Sequence, residues 1–131
     1  MTDDVRLSVG ETSGPLAVAR LDGELDMMSA PEVYVRATEL LESHPHLVLD
    51  LSGVTFCDST GFNVLLRLRR RVLEAEGWLA LAAPPPKVGQ LLALTGTEDV
   101  FAVYDSPAAA VAAHPGDDAG TTAAPRDTGR P

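Results

Sequence analysis

The residues best equipped for chemistry stand together in "FCDSTGF", Phe56 to Phe62, where a carboxylate, two hydroxyls and a glycine follow the apolar run "LVLDLSGV". Several chemistries use these letters, and each needs more than is here. An aspartic protease requires Asp-Thr/Ser-Gly without interruption and a second carboxylate sharing its proton, whereas Thr60 separates Ser59 from Gly61. A serine nucleophile of the hydrolase type requires Gly-x-Ser-x-Gly and a later histidine as base; the later histidine is His114, next to a polar terminus. Phosphate-loop and dinucleotide glycine patterns are absent. No catalytic residue and no cofactor is assigned on these grounds, and the chain reads as a non-enzyme.

Other candidate groups resolve in the same way. His44 and His46 flank Pro45, but no cysteine pair or further histidine stands at ligand spacing, so no metal site is expected. Asp50, inside "LVLDL", could stand for the phosphoacceptor of a receiver domain. The acidic pair and downstream lysine of that site have no counterparts, and Asp50 reads as a satisfied polar group near a sheet edge or bulge. Cys57 is the single cysteine, which rules out an intramolecular disulfide; apolar neighbours and the adjacent Asp58 make it a small buried residue rather than a reactive thiolate.

Two readings of "DSTG" remain. Asp58 or Ser59 could cap a following helix by accepting its first free amides, with Gly61 allowing a turn or close packing. The same placement puts a hydroxyl at the positive end of a helix dipole, where a phosphate on Ser59 would be tolerated by the fold.

The elements that position this run follow from periodicity. "VRLSVGE" alternates Val5, Leu7 and Val9 with polar residues as a strand with one wet face, and "PLAVARLDGEL" from Pro15 is a second strand. The short link "ETSG" makes the pair an antiparallel hairpin. Ser29 as N-cap, Pro31 in the first turn and Glu32 near the dipole's positive end open a helix whose inner face is Val33, Ala37, Leu40 and Leu41; His44 and Pro45 end it. "LVLDL" is a short strand suited to a central place. The next helix runs from about Thr60 to Glu76, with Phe62, Leu65, Leu66, Val72 and Leu73 inward and Gly77 as its stop. "WLALAA" is a strand, "PPKVGQLLALTG" a helix stopped by Gly96, "VFAVY" a strand, and "SPAAAVAAH" a helix capped by Ser106. The resulting β-β-α-β-α-β-α-β-α order implies an α/β fold with a mixed, mostly parallel sheet, about four helices and an N-terminal hairpin. Functional surfaces of such sheets lie outside the carboxyl ends of strands, where both "GELD" and "CDSTG" fall.

A chain of 131 residues supports one domain, placed at 1–113. The remainder, 114–131, is expected to be a disordered tail, because from Pro115 it holds no aliphatic residue larger than alanine. A net charge of −9 argues against a nucleic-acid partner, and the "RLRRR" cluster at Arg67 to Arg71 reads as a solvated helix face. The acidic N-terminus lacks signal-peptide features and no run is long enough to span a membrane, so the expectation is a cytoplasmic protein without direct membrane insertion.

"GELD", "LVLDLSGVTFCDSTGFNVLLRLRRR", "LALAAPPPKVGQLLALTG" and "VFAVYDS" together resemble the STAS domain family, specifically the bacterial anti-sigma factor antagonists, in order from about Val5 to Ala113. The resemblance implies a phosphorylation-controlled switch in partner exchange. The serine after the motif's Asp, here Ser59, would be phosphorylated by a partner that is both an anti-sigma factor and a serine kinase of the histidine-kinase-like ATPase type. The unmodified protein would sequester that partner and release a sigma factor, and the cycle leaves room for a serine phosphatase. Partner-binding residues would be Glu24, Asp26, Asp58, Thr60, Gly61 and Asn63. This chain has Phe62 and Asn63 where the family commonly has Leu and Gly; Phe62 enlarges an inward position and Asn63 bears on partner fit. An alternative from the same family is a scaffold subunit of a membrane transport assembly, in which the serine is unmodified.

Overall fold

A computed structural model describes residues 6–97 and 99–114; of the tail expected at 114–131 only His114 lies within them, its ring 4.8 Å from those of His46 and Trp78, and the rest falls outside, as does Val5. The element order is the expected one: β1 (Arg6–Ser13), β2 (Leu16–Leu25), α1 (Ala30–Ser43), β3 (His46–Cys57), α2 (Ser59–Glu74), β4 (Trp78–Ala82), α3 (Pro86–Thr95), β5 (Ala102–Tyr104) and α4 (Pro107–Ala113). The sheet order is β1-β2-β3-β4-β5, with β1 antiparallel to β2 and the remaining pairs parallel. An apolar central strand follows from that order, because β3 is covered on both faces. Leu47, Leu49 and Leu51 join the main core, and Val48 joins a smaller one.

The two faces are unequally covered. Val33 and Ala37 of α1, Leu65 and Leu68 of α2, and Val88 and Leu92 of α3 close over one face. On the other, Ala110 of α4 packs with Leu16, Val48, Ala80 and Ala82.

Several local expectations shift. Residues Glu11 to Ser13, read as a link, extend β1, leaving Gly14 and Pro15 as the turn. Val9 is 53% exposed, since β1 is an edge strand with a pairing irregularity between Val9 and Glu11. Strand β3 continues well past "LVLDL" to Cys57. On α2 the buried stripe includes Val64 and Leu68, while Leu66 is half-buried and Leu73 is 51% exposed. At about 100° per residue, Leu73 stands about 80° from Leu65. The opposite side of the stripe is the one that meets α1, as the Arg67 guanidinium over the Tyr34 ring at 4.0 Å marks. Gly77 follows α2, but the left-handed residue is Glu76, φ 60. Gly77 is needed instead for closeness, since a Cβ there would collide with the Pro45 carbonyl. Gly96, φ 71, ends α3, and Ser106 Oγ accepts from the Ala109 amide at 3.0 Å to cap α4, both as expected.

Candidate functional site

The ends of β2 and β3 lie side by side, with Glu24 opposite Phe56 and Leu25 opposite Cys57. Two register irregularities in this pair, one between Arg20 and Asp22 and one between Gly23 and Glu24, reorient the end of β2 before it leaves the sheet. The connection from β3 to α2 is a single residue, Asp58, whose amide donates to the Leu25 carbonyl at 3.3 Å. The first turn of α2 then packs on the same carbonyl. A Cβ on Gly61 would collide with Leu25 backbone atoms, so the glycine permits this approach. Leu25 is thus the hub that brings "GELD" and "CDSTG" together.

Asp58 is the cap of α2. Its Oδ1 accepts from the Gly61 amide at 2.8 Å, and its carbonyl accepts from Phe62 at 2.8 Å. Ser59 and Thr60 are exposed, and neither hydroxyl takes a hydrogen bond among the described residues. The capping question left open by the residues is answered by geometry. Asp58 stabilises the helix end, and the exposed Ser59 hydroxyl takes no part in the cap. Ser59, Thr60 and Asn63 share a helix face by their spacing, and all are exposed.

The turn after β2 closes reciprocally. Asp26 Oδ1 accepts from the amides of Met28 at 3.0 Å and Ser29 at 3.1 Å, while Ser29 Oγ accepts from the Asp26 amide at 3.0 Å. Ser29 Oγ also donates to the Glu24 carbonyl at 2.8 Å. The expectation that Ser29 caps α1 with its side chain is therefore corrected: it makes no such bond, because its hydroxyl is engaged backwards with the end of β2. Asp26 is a structural residue of this turn as well as an acid at the rim, whereas the Glu24 side chain is exposed.

Three exposed apolar residues border these groups in sequence or register and escaped the sequence reading: Met27 at 64% exposure, Met28 at 84%, and Phe56 opposite Glu24. Their signal was two consecutive methionines where no period requires them, since methionine adapts to varied partner surfaces. Behind the site, Phe62 is buried with its ring edge to Phe101 at 6.5 Å, so the larger residue fills the core. Cys57 is buried, and desolvation first, then the Asp58 charge, raises its thiol to about 11.

The remaining candidates lie elsewhere. His44 Nδ1 is 3.0 Å from the Gly14 carbonyl, and the His46 ring lies against that of His114, tilted by 55° with centroids 4.8 Å apart. Asp50 is buried beside the irregularity in β2–β3 pairing, on the central strand rather than an edge, and accepts from the Ser52 amide at 3.0 Å.

The model of the STAS domain family matches residues 8–110. The chain is 30% identical over 91 residues to an anti-sigma F factor antagonist of Paenibacillus polymyxa, covering 68% of this chain and 78% of that protein. It is 26% identical over 98 residues to the anti-sigma-B factor antagonist of Bacillus subtilis, covering 75% and 89% respectively. Among solved structures, an anti-sigma factor antagonist from Mycobacterium paratuberculosis superposes with a TM-score of 0.75 at 28% identity, over 86% of this chain and 96% of that one.

Proposed function

The chain belongs to the STAS domain family, and from that premise we propose that it is an anti-sigma factor antagonist controlled by phosphorylation of Ser59. Unmodified, it binds and sequesters an anti-sigma factor that is also a serine kinase of the histidine-kinase-like ATPase type, and a sigma factor is released. The observation that carries this reading is the division of labour at the start of α2. Asp58 supplies the cap, so the exposed Ser59 hydroxyl is not consumed by the fold.

In the modification, Ser59 Oγ forms a bond to the γ-phosphorus of the partner's ATP, the bond to the ADP oxygen breaks, and the hydroxyl proton passes to a base on the partner. The product adds about 1.5 to 2 negative charges next to Asp58 and on the edge that carries Glu24 and Asp26. The helix end favours the anion, while a close interface with those acids does not. The same residue is thus modified at little expense to the fold and at large expense to binding. Glu24, Asp26, Asp58, Thr60 and Asn63 form the docking edge, with Gly61 buried behind it where it sets the approach of α2 to Leu25, and Met27, Met28 and Phe56 supply its apolar contacts. ATP, kinase and sigma factor place the protein in the cytoplasm, and a serine phosphatase would reverse the mark.

The test is phosphate mapping by mass spectrometry of the protein purified from its native cells, with co-purifying chains identified. Phosphate on Ser59 together with a histidine-kinase-like ATPase is the expected result. Unmodified Ser59 together with transporter subunits would overturn it in favour of the scaffold alternative. With the ATPase in hand, Ser59→Asp should weaken binding in calorimetry while the circular dichroism spectrum is unchanged; equal binding by the wild type and this variant refutes the switch.

A further inference from the structure

Helix α4 covers only part of the second sheet face. Between it and the β1–β2 flank lies a cavity of about 530 Å³, to which Glu11, Val18 and Arg20 contribute from the hairpin, Asp50 from β3, and Ala108 and Val111 from α4. That volume is within the range of small-molecule sites, about 300–1,000 Å³, and the lining has their character of hydrocarbon walls with few polar groups. It lies across the sheet from α2 and Ser59, so nothing in the switch uses it.

The polar groups have a defined imbalance. Asp50 is only 8% exposed; its Oδ1 takes the Ser52 amide, but its Oδ2 takes no hydrogen bond among the described residues. The nearest cation to that oxygen is Arg20, 3.7 Å away, and Arg20 is held more closely by Asp22, with Nε to Oδ1 at 2.8 Å. One guanidinium in the cavity wall is therefore shared between Asp22 and Asp50, and with Glu11 the three carboxylates outnumber it, so the charge at the cavity is net negative. Asp50 Oδ2 has a cation at ion-pair distance but no hydrogen-bond donor among the described residues, and a second charged donor entering from the cavity would give it a charge-assisted bond.

We propose that this cavity binds a small organic cation, an alkylammonium whose head donates to Asp50 Oδ2 and whose hydrocarbon body lies along Val18, Ala108 and Val111. A carboxylate head would meet Asp50 and Glu11, with Arg20 already engaged by Asp22 and Asp50, and be disfavoured, and a neutral head would lack the charge-assisted bond.

The experiment is titration of the full chain with n-hexylamine, n-hexanol and sodium hexanoate at neutral pH, followed by amide NMR shifts. Hexylamine should shift the amides of Val18, Asp50, Ala108 and Val111 and bind about tenfold tighter than hexanol, as a charge-assisted bond predicts, with hexanoate inert. Asp50→Asn should bring hexylamine down to the hexanol level. Ala108→Trp, which fills the cavity from an exposed helix position, should abolish binding with the rest of the spectrum retained. Equal shifts with all three probes, no localised shifts, or an unchanged hexylamine affinity in Asp50→Asn would each overturn the proposal. If Asp50→Asn does not fold, the probe ranking in the wild type and the Ala108→Trp result still decide it.

Discussion

Whether Ser59 is a structural cap or a free acceptor can be decided by stability alone. The Gly61 amide donates to Asp58 Oδ1 at 2.8 Å, whereas Ser59 Oγ has no partner among the described residues. Replacing an Asp cap by Ala costs about 1 kcal/mol, within a range of about 0.5–2, and the loss of a negative charge near the dipole's positive end acts in the same direction. For a domain of this size, 1 kcal/mol corresponds to a fall in Tm of roughly 4 °C. Asp58→Asn keeps an acceptor and loses only the charge, so it should fall by about a few tenths of a kcal/mol. Ser59→Ala removes an exposed hydroxyl and should remain within about 0.5 kcal/mol of wild type. Urea unfolding followed by circular dichroism, with the slopes checked for constancy, measures all three. A Ser59→Ala loss equal to or greater than that of Asp58→Ala refutes the reasoning, because it would make the serine a structural element of the helix end.

Gly61→Ala should destabilise by about 1–3 kcal/mol, because its Cβ meets the backbone of Leu25 rather than a side chain that can move; a wild-type urea midpoint would show that the close approach is not required. Leu68→Ala should cost about 2–5 kcal/mol, against about 0.5 or less for Leu73→Ala. Those two leucines share α2 but not its burial, so equal losses in thermal melts would contradict the stripe described above. The Cys57 thiol, raised by burial from 9.0 to about 11, holds its proton more tightly in the folded chain. Its contribution to stability is therefore complete below pH 9.0 and is lost as pH rises through about 11. Wild type should lose urea stability across that window faster than Cys57→Ala, and parallel profiles would refute the buried-thiol account.

Most of the fold was legible because its signals are local. Alternation in β1 and β2, helical spacing in α1 and α2, and stop residues such as Gly96 act within a few residues of where they stand. The alternation of strands and helices then restricted the sheet to a mostly parallel one. The misreadings occurred where a local signal competed with distant geometry. Leu73 is a good inward residue by type, and only the position of α1 along α2 decides that Leu68 and Val64 are covered instead. Ser29 is a good N-cap by type, and only the nearby end of β2 diverts its hydroxyl to the Glu24 carbonyl.

The sequence by itself determined that a carboxylate, two hydroxyls and a glycine stand between a buried strand and a helix, and that "GELD" ends another strand. Both facts depend on periodicity and turn chemistry within short windows. Tertiary structure alone decided that the two segments meet through Leu25, that Asp58 rather than Ser59 caps α2, and that Asp50 faces a cavity with one oxygen lacking a donor. Those outcomes depend on register between strands far apart in the chain and on which face a single helix leaves open. A one-residue change in register would exchange every inward and outward side chain, and no short window of sequence holds that information.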